Sequence, residues 1–308
     1  MKIAIFGTGG VGGYFGARLA QVGEEVHFVA RGRHLEAIRS TGLRIESPLG
    51  DAAVHPAKAA DDPAQIGPAD VAMVAVKLYD TEDVARAMAP LVGPETMVVS
   101  FQNGVTSGDV FSRAFGQDRV IGGSTSIAAV IKEPGVILQT GTMATIAFGE
   151  WDGQPTPRTR ALLDAFERAG VDATLAQDIN VVIWSKFIFL AAFSGITSMF
   201  RLPMGPILED AEKRAMFRGA MEETFAVAAA KGVGVPDDLV HKRMEFAAGL
   251  PAEMYSSMYH DLMAGKRLEL PWLSGAVVDM GRELGVETPN HKAFVDALAA
   301  DLEGTPAK

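Results

Sequence analysis

The chain of 308 residues contains no cysteine, which removes disulfides, thiolate metal sites and cysteine nucleophiles from consideration. Basic residues are in deficit: 28 Lys and Arg face 38 Asp and Glu, for a formal charge of −10, and no basic run breaks the acidic background. A nucleic-acid partner is therefore not expected. His27, His34, His55, His241, His260 and His291 lack the close spacing and acidic company of a metal site, and no metal is expected either. Long apolar runs are also missing. The uncharged apolar stretch that most suggests a membrane span, Phe187–Phe200, lies between Lys186 and Arg201. It is shorter than the roughly 20 residues a bilayer requires, and reads as a buried helix rather than a membrane span. Together these absences suit a cytoplasmic protein.

What the chain does have is an ordinary globular balance, 48% hydrophobic and 21% charged, at a length that corresponds to two domains when a domain takes roughly 150 residues. In the first half Lys2–Phe6, Val26–Val29, Val71–Val76 and Thr96–Ser100 read as buried strands of a parallel sheet. Helices are predicted between them at about Val11–Val22, around Leu35 and Ile38, and over Thr81–Leu91. After Gly122, the segments Ser124–Ile131, Val136–Gln139 and Ala144–Phe148 alternate in polarity and predict an antiparallel extension. A helix over Arg158–Ala169 follows, and the sheet is expected to end near Thr174. From Asp178 onward, helical stretches are punctuated by Pro203, Pro236, Pro251, Pro271 and Pro289. The expected architecture is an α/β, Rossmann-like doubly wound N-terminal domain over residues 1–175, followed by an all-α C-terminal domain over residues 176–308. Helical faces such as Met216, Met221 and Phe225 suit the domain interior and a homodimer interface equally.

The run Gly7-Thr8-Gly9-Gly10-Val11-Gly12 fits G-x-G-x-x-G, follows the first strand directly and opens the first helix. In that setting Gly7 permits the tight turn, Gly9 lets a pyrophosphate approach the backbone, and Gly12 lets helix and strand pack closely. Dinucleotide binding is the expectation. At the end of the second strand, Val29-Ala30-Arg31-Gly32-Arg33 offers no acid for the ribose hydroxyls of NAD. Arg31, nineteen residues after Gly12, suits a 2′-phosphate, with Arg33 adding positive field, so NADP (NADPH) is expected over NAD.

Lys186 is the only charge in the apolar stretch Ile179–Phe193. Burial disfavours its charged form, so either its stem snorkels to the surface or it lines a polar cleft that uses it. Steps of four place Leu190 and Ser194 on the same helix face. Three further groups are polar at telling places: Lys77 after one central strand, Ser100-Phe101-Gln102-Asn103-Gly104 at the end of another, and Ser256-Ser257-Met258 ahead of Asp261 and Glu269. Each is open to two readings, ligand contact on one side, a turn or a helix cap on the other.

These residues, taken together, resemble the ketopantoate reductases (2-dehydropantoate 2-reductases) over essentially the whole chain. The resemblance is carried by the N-terminal Lys-Ile-Ala-Ile-Phe-Gly-Thr-Gly-Gly-Val-Gly, Val-Lys at 76–77, Gln-Asn-Gly at 102–104, Trp-Ser-Lys at 184–186, Ser-Ser-Met with Asp261 and Glu269, and Gly285-Val286-Glu287-Thr288-Pro289. It implies reduction of a small 2-oxo acid, ketopantoate, by NADPH. The Gly7, Thr8, Gly9, Gly10, Val11, Gly12 loop would hold the cofactor phosphates and Arg31 the 2′-phosphate. Lys77 and Asn103 would contact cofactor or substrate, and Ala129 would line the cofactor through its backbone. Lys186 maps onto the family's catalytic lysine, the general acid for the ketone oxygen. Glu269, grouped with it in the catalytic pair, maps onto a carboxylate near the nicotinamide ribose, and Ser257 maps onto a substrate-binding serine. Where ketopantoate-reducing members carry pocket asparagines, this chain has Leu190, Ser194, Met204 and Met254, and only Asn103 is kept. Leucine and methionine favour a more apolar 2-oxo acid. A related NADP-dependent 2-oxo or 2-hydroxy acid oxidoreductase is therefore one alternative, and a non-catalytic NADP-sensing protein is another.

Overall fold

The computed structural model describes residues 1–305. The chain divides into two compact units, Met1–Val182 and Ile183–Lys308. The first unit runs β1 (Lys2–Phe6), α1 (Gly10–Gln21), β2 (Glu25–Val29), α2 (Gly32–Thr41), β3 (Leu43–Glu46), β4 (Ala52–Val54), β5 (Lys58–Ala60), β6 (Val71–Val74), α3 (Thr81–Ala87), β7 (Met97–Ser100), α4 (Ser107–Phe115), β8 (Val120–Glu133), β9 (Val136–Gly149), α5 (Pro157–Arg168) and β10 (Asp172–Leu175). Its strands form one ten-stranded mixed sheet in the order β4-β3-β9-β8-β7-β6-β1-β2-β5, with β10 also paired to β9. From β5 to β8 every pairing is parallel, whereas β8 and β9 run antiparallel.

The parallel core reads as unbroken apolar runs because both of its faces are covered. Ile3 and Ile5 of β1 join a cluster with Phe15 and Leu19 of α1 and Phe166 of α5. The alternate residues Ala4 and Phe6 join Val84 and Phe111, from α3 and α4, in another. Period-two alternation along the strand thus assigns each side chain to one helical layer or the other.

Three features differ from the sequence expectation. The alternating segments after Gly122 are not separate strands but the two arms of one long hairpin, Val120–Glu133 and Val136–Gly149. Ile127 pairs with Ala144 while Ala128 pairs with Thr140, so residues 141–143 bulge from β9, and the left-handed φ of +71° at Gly141 accommodates the detour. The strands β3, β4 and β5, of three or four residues each, are too short to leave a periodic signature in the sequence.

The third difference lies at the entry to the second unit. The apolar helix α6 spans Ile179–Phe200, 22 residues, so the length argument against a membrane span does not hold by itself. Packing supplies the better account: Ile188, Ala191, Ala192 and Ile196 are fully buried in the fold, and a Cβ on Gly195 would stand 2.2 Å from the Phe294 ring. The unit continues with α7 (Met204–Glu209), α8 (Ala211–Ala230), α9 (Leu239–Ala248), α10 (Ser257–Met263), α11 (Ser274–Leu284) and α12 (Pro289–Leu298), with no strand among its described residues. Met221 of α8 is wholly buried and belongs to this core rather than to an exposed face, while Met216 and Phe225 are half-buried.

A buried polar cluster joins α8 to α12. The Glu223 carboxylate accepts from the backbone N–H groups of Asn290 (2.8 Å) and His291 (3.0 Å), orphan donors of the first turn of α12. His291 Nε2 meets the Ala220 carbonyl at 2.9 Å and Thr224 Oγ1 at 2.8 Å. Burial holds the His291 pKa down at about 4, and raises that of Glu223. Because unfolded His291 takes its proton near pH 6.5 and the folded residue resists it, its contribution is complete above pH 6.5 and is lost as the pH falls toward 4. Glu223 titrates in the opposite sense, so the expected signature is a difference. The stability advantage of the wild type over His291→Gln should shrink by about 3 kcal/mol between pH 7 and pH 4, measured by urea unfolding across that range.

Candidate active site

The strand order places β1 between β2 and β6, which is where the direction of winding reverses and ligands of open α/β sheets bind. Four sequence-predicted groups lie just past the carboxyl ends of adjacent parallel strands: Arg31 after β2, the glycine loop after β1, Lys77 after β6 and Asn103 after β7.

The glycine loop is anchored at one point. The Val29 carbonyl accepts from Gly7 N–H (3.3 Å), Thr8 N–H (3.2 Å) and the Thr8 hydroxyl (3.0 Å). Both donors of Thr8 are thereby engaged, so this residue shapes the loop rather than presenting a donor of its own. Gly7 turns with φ +99°, and a Cβ on Gly12 would meet the Gly7 carbonyl at 2.2 Å. A Cβ on Gly10 would stand 2.0 Å from the Ala129 carbonyl, which sets the Ala129 backbone directly against the loop. Gly9 is different. Its φ is an unstrained −87°, and among the described residues a Cβ there would meet nothing within 4 Å. No contact among them demands glycine at this position, which caps the N-terminus of α1, a helix with no side-chain cap and no acid in its first turn. An uncapped, unobstructed helix start fits an anionic pyrophosphate. Arg31 is exposed at the N-cap of α2.

In the second unit, α6 carries Lys186 and Leu190, both half-buried, and then Ser194, which is buried with a hydroxyl that has no hydrogen-bond partner among the described residues. Desolvation lowers the Lys186 pKa to about 8, against the pull of the Glu269 carboxylate, which favours the charged form. Glu269 is itself buried, at the start of a tight turn where its carbonyl accepts from Trp272 N–H (3.0 Å) and Leu273 N–H (3.1 Å). The two serines at the start of α10 divide their roles. Ser256 is the helix cap, its Oγ accepting from Tyr259 N–H at 3.1 Å, while Ser257 is exposed.

Sequence reasoning did not single out Thr197. Its hydroxyl lies 2.8 Å from Ser256 Oγ and fastens the start of α10 to the helix that bears Lys186. Arg243 was also missed: its Nε donates to the Ser185 carbonyl at 3.1 Å and ties α9 to the same turn of α6. Neither residue has a local sequence signal, because each acts on a partner more than fifty positions away. Met204 is core, and its N–H donates to the Met254 carbonyl at 3.0 Å; Met254 itself is half-buried.

This fold and these groups define the class: the protein is an NAD(P)-dependent oxidoreductase with a Rossmann-like mixed-sheet unit and a helical second unit. Residues 3–153 match the family model of ketopantoate reductase PanE/ApbA, and residues 178–302 match that of the ketopantoate reductase PanE/ApbA C terminal. The chain belongs to the ketopantoate reductase family. It is similar to the 2-dehydropantoate 2-reductase of Mesorhizobium japonicum, with 32% identity over 321 residues covering 97% of this chain and 96% of the relative. The crystal structure of a PanE/ApbA family ketopantoate reductase from Ralstonia eutropha superposes with a TM-score of 0.90 at 33% identity, covering 98% of both chains. A D-mandelate dehydrogenase solved with NADH and anilino(oxo)acetate shares the fold, with a TM-score of 0.87 at 21% identity over 98% of both chains.

The contrast between neighbouring glycines yields a prediction. Gly9→Ala should melt at the wild-type temperature yet bind dinucleotide at least about tenfold more weakly, whereas Gly10→Ala should lose both stability and binding. Thermal melts beside fluorescence titrations with NADPH check both arms.

Proposed function

We propose that the protein reduces 2-dehydropantoate to pantoate with NADPH, using Lys186 as the general acid. The observation that carries this reading is a lysine in an apolar helix whose pKa is lowered to about 8 while a buried carboxylate, Glu269, supports its charge. Such a group is protonated at neutral pH yet close enough to that pH to give the proton up. When bound, the dinucleotide supplies a hydride. Lys186 hydrogen-bonds the ketone oxygen and protonates it as negative charge develops there, so that the carbonyl becomes an alcohol. Glu269 keeps the ammonium charged before the proton moves, and is assigned to the nicotinamide ribose as well.

The Gly7–Gly12 loop holds the pyrophosphate and Arg31 the 2′-phosphate, with Lys77, Asn103 and the Ala129 backbone completing the cofactor contacts. Ser257, Asn103, Leu190 and Ser194 contact the substrate. The Ser194 hydroxyl, without a hydrogen-bond partner among the described residues, supports a substrate that carries a hydroxyl of its own, as ketopantoate does. A second reading, a more apolar 2-oxo acid, is favoured by the half-buried Leu190 and Met254. It is also favoured by the D-mandelate dehydrogenase of the same fold, which was solved with anilino(oxo)acetate and with NADH. A purely NADP-sensing role has no use for a desolvated lysine beside a buried glutamate. The reaction is placed in the cytoplasm.

Two outcomes test the proposal. With ketopantoate and NADPH, kcat/KM should be level below pH 8 and fall about tenfold per unit above it, because the acid must be protonated. Glu269→Gln, which removes the charge that favours ammonium, should move that break to lower pH, and Lys186→Ala should lower kcat by about 10²–10⁴-fold. Separately, Arg31→Ala should raise the KM for NADPH by about 10–100-fold and leave that for NADH nearly unchanged, as measured from initial rates at 340 nm. Tight NADPH binding without turnover of ketopantoate, together with turnover of an apolar 2-oxo acid, would select the second reading.

A further inference from the structure

The carboxyl ends of β6 and β7 lie side by side, Val74 in register with Ser100, and the last rung is the Phe101 N–H donating to the Val74 carbonyl at 2.8 Å. Past that rung the two chains diverge into loops, one bearing Lys77 and the other Asn103. The side chain of Gln102 joins them. Its backbone N–H donates to Ser100 Oγ (3.3 Å), and Ser100 Oγ in turn donates to Gln102 Oε1 (3.0 Å). On the other side Gln102 Nε2 donates to Thr81 Oγ1 (2.8 Å) and, at longer range, to the Lys77 carbonyl (3.4 Å). Thr81 Oγ1 passes its own proton to the Leu78 carbonyl (2.7 Å). Ser100, Gln102 and Thr81 are all buried.

Direction is what makes this network selective. Each hydroxyl has one proton, and both are committed: that of Ser100 to Oε1, that of Thr81 to Leu78. The side chain at 102 must therefore accept on one side and donate on the other. An amide satisfies both demands at once, whereas an ionised carboxylate would leave Thr81 facing a second acceptor, and a thioether would leave two buried hydroxyls under-satisfied. The amide thus fixes the spacing of the two loops through a chain of direct hydrogen bonds.

We infer that Gln102 is a positioning residue for Lys77 and Asn103: its buried amide sets the distance between the two strand ends from which these groups reach the cofactor. The inference rests on the proposed cofactor role of Lys77 and Asn103. It gives the buried Gln102 a role beside Asn103, the residue assigned to the cofactor.

NADPH dissociation constants from fluorescence titration, with thermal midpoints alongside, test it in the full-length protein. Gln102→Met should weaken NADPH binding about tenfold, the loss of roughly one well-made hydrogen bond's worth of positioning. Thr81→Val, which removes the acceptor of the amide together with the hydroxyl's bond to the Leu78 carbonyl, should do the same, and serves if Gln102→Met does not fold. Added to Lys77→Ala/Asn103→Ala, Gln102→Met should weaken binding by less than about twofold, because the groups it positions are gone. Wild-type affinity in both Gln102→Met and Thr81→Val, with binding weakened in Lys77→Ala/Asn103→Ala, would overturn the inference alone. Wild-type affinity in Lys77→Ala/Asn103→Ala would instead overturn the cofactor assignment of Lys77 and Asn103, and the inference with it.

Discussion

An ammonium group set among apolar side chains must either lose its proton or be held charged by something nearby, and the helical unit is organised around that constraint. Lys186 sits on a helix whose neighbours are almost all hydrocarbon, and desolvation alone would push it toward the neutral amine. Glu269 opposes the push from a buried turn far along the chain, and the balance leaves the lysine poised near pH 8. The low polarity of the helix is what lowers the pKa of the lysine, and its packing on Phe294 and neighbouring core residues is what keeps the helix in place. Thr197 and Ser256 extend the same logic, since a single hydroxyl pair fixes the start of α10, and hence Ser257, against α6.

In the first unit the governing constraint is geometric. Parallel strands deliver their successors to one edge of the sheet, so residues from four separate strand–loop junctions become neighbours in rank: Arg31, the glycine loop, Lys77 and Asn103. The loop itself is held by one carbonyl, that of Val29, which collects three donors and leaves the helix start behind it uncapped. A phosphate is the natural complement of such an opening, and among the described residues none would touch a Cβ at Gly9. The same sheet edge explains Gln102, whose buried amide can serve two loops only because β6 and β7 are adjacent.

Much of this was legible in the linear chain because the signals were local. A G-x-G-x-x-G run between a strand and a helix is a statement about consecutive residues, and so is a lone lysine in an apolar stretch. Other parts were not legible for an equally local reason. The three short strands β3, β4 and β5 fall below the length at which periodicity is visible, and the bulge at Gly141 split one long strand into two apparent ones. The full length of α6 was not read either, because Ile179–Phe193 and Phe187–Phe200 were each taken separately, whereas one helix spans both.

The sequence by itself determined the alternation of strands and helices, the dinucleotide loop, the absence of thiol chemistry and the presence of one cation that required an explanation. These follow from residue type and spacing within a few turns of chain, where sterics and hydrophobic periodicity dominate. Only the tertiary structure decided that Glu269 is the charge that offsets the desolvation of Lys186, that Thr8 is a strut while Gly9 stands open, that Ser256 caps while Ser257 is exposed, and that Gln102 joins two strand ends. Each of those outcomes depends on electrostatics and hydrogen bonds between groups that the fold brings close, and such interactions act through distance in space, which sequence separation does not encode.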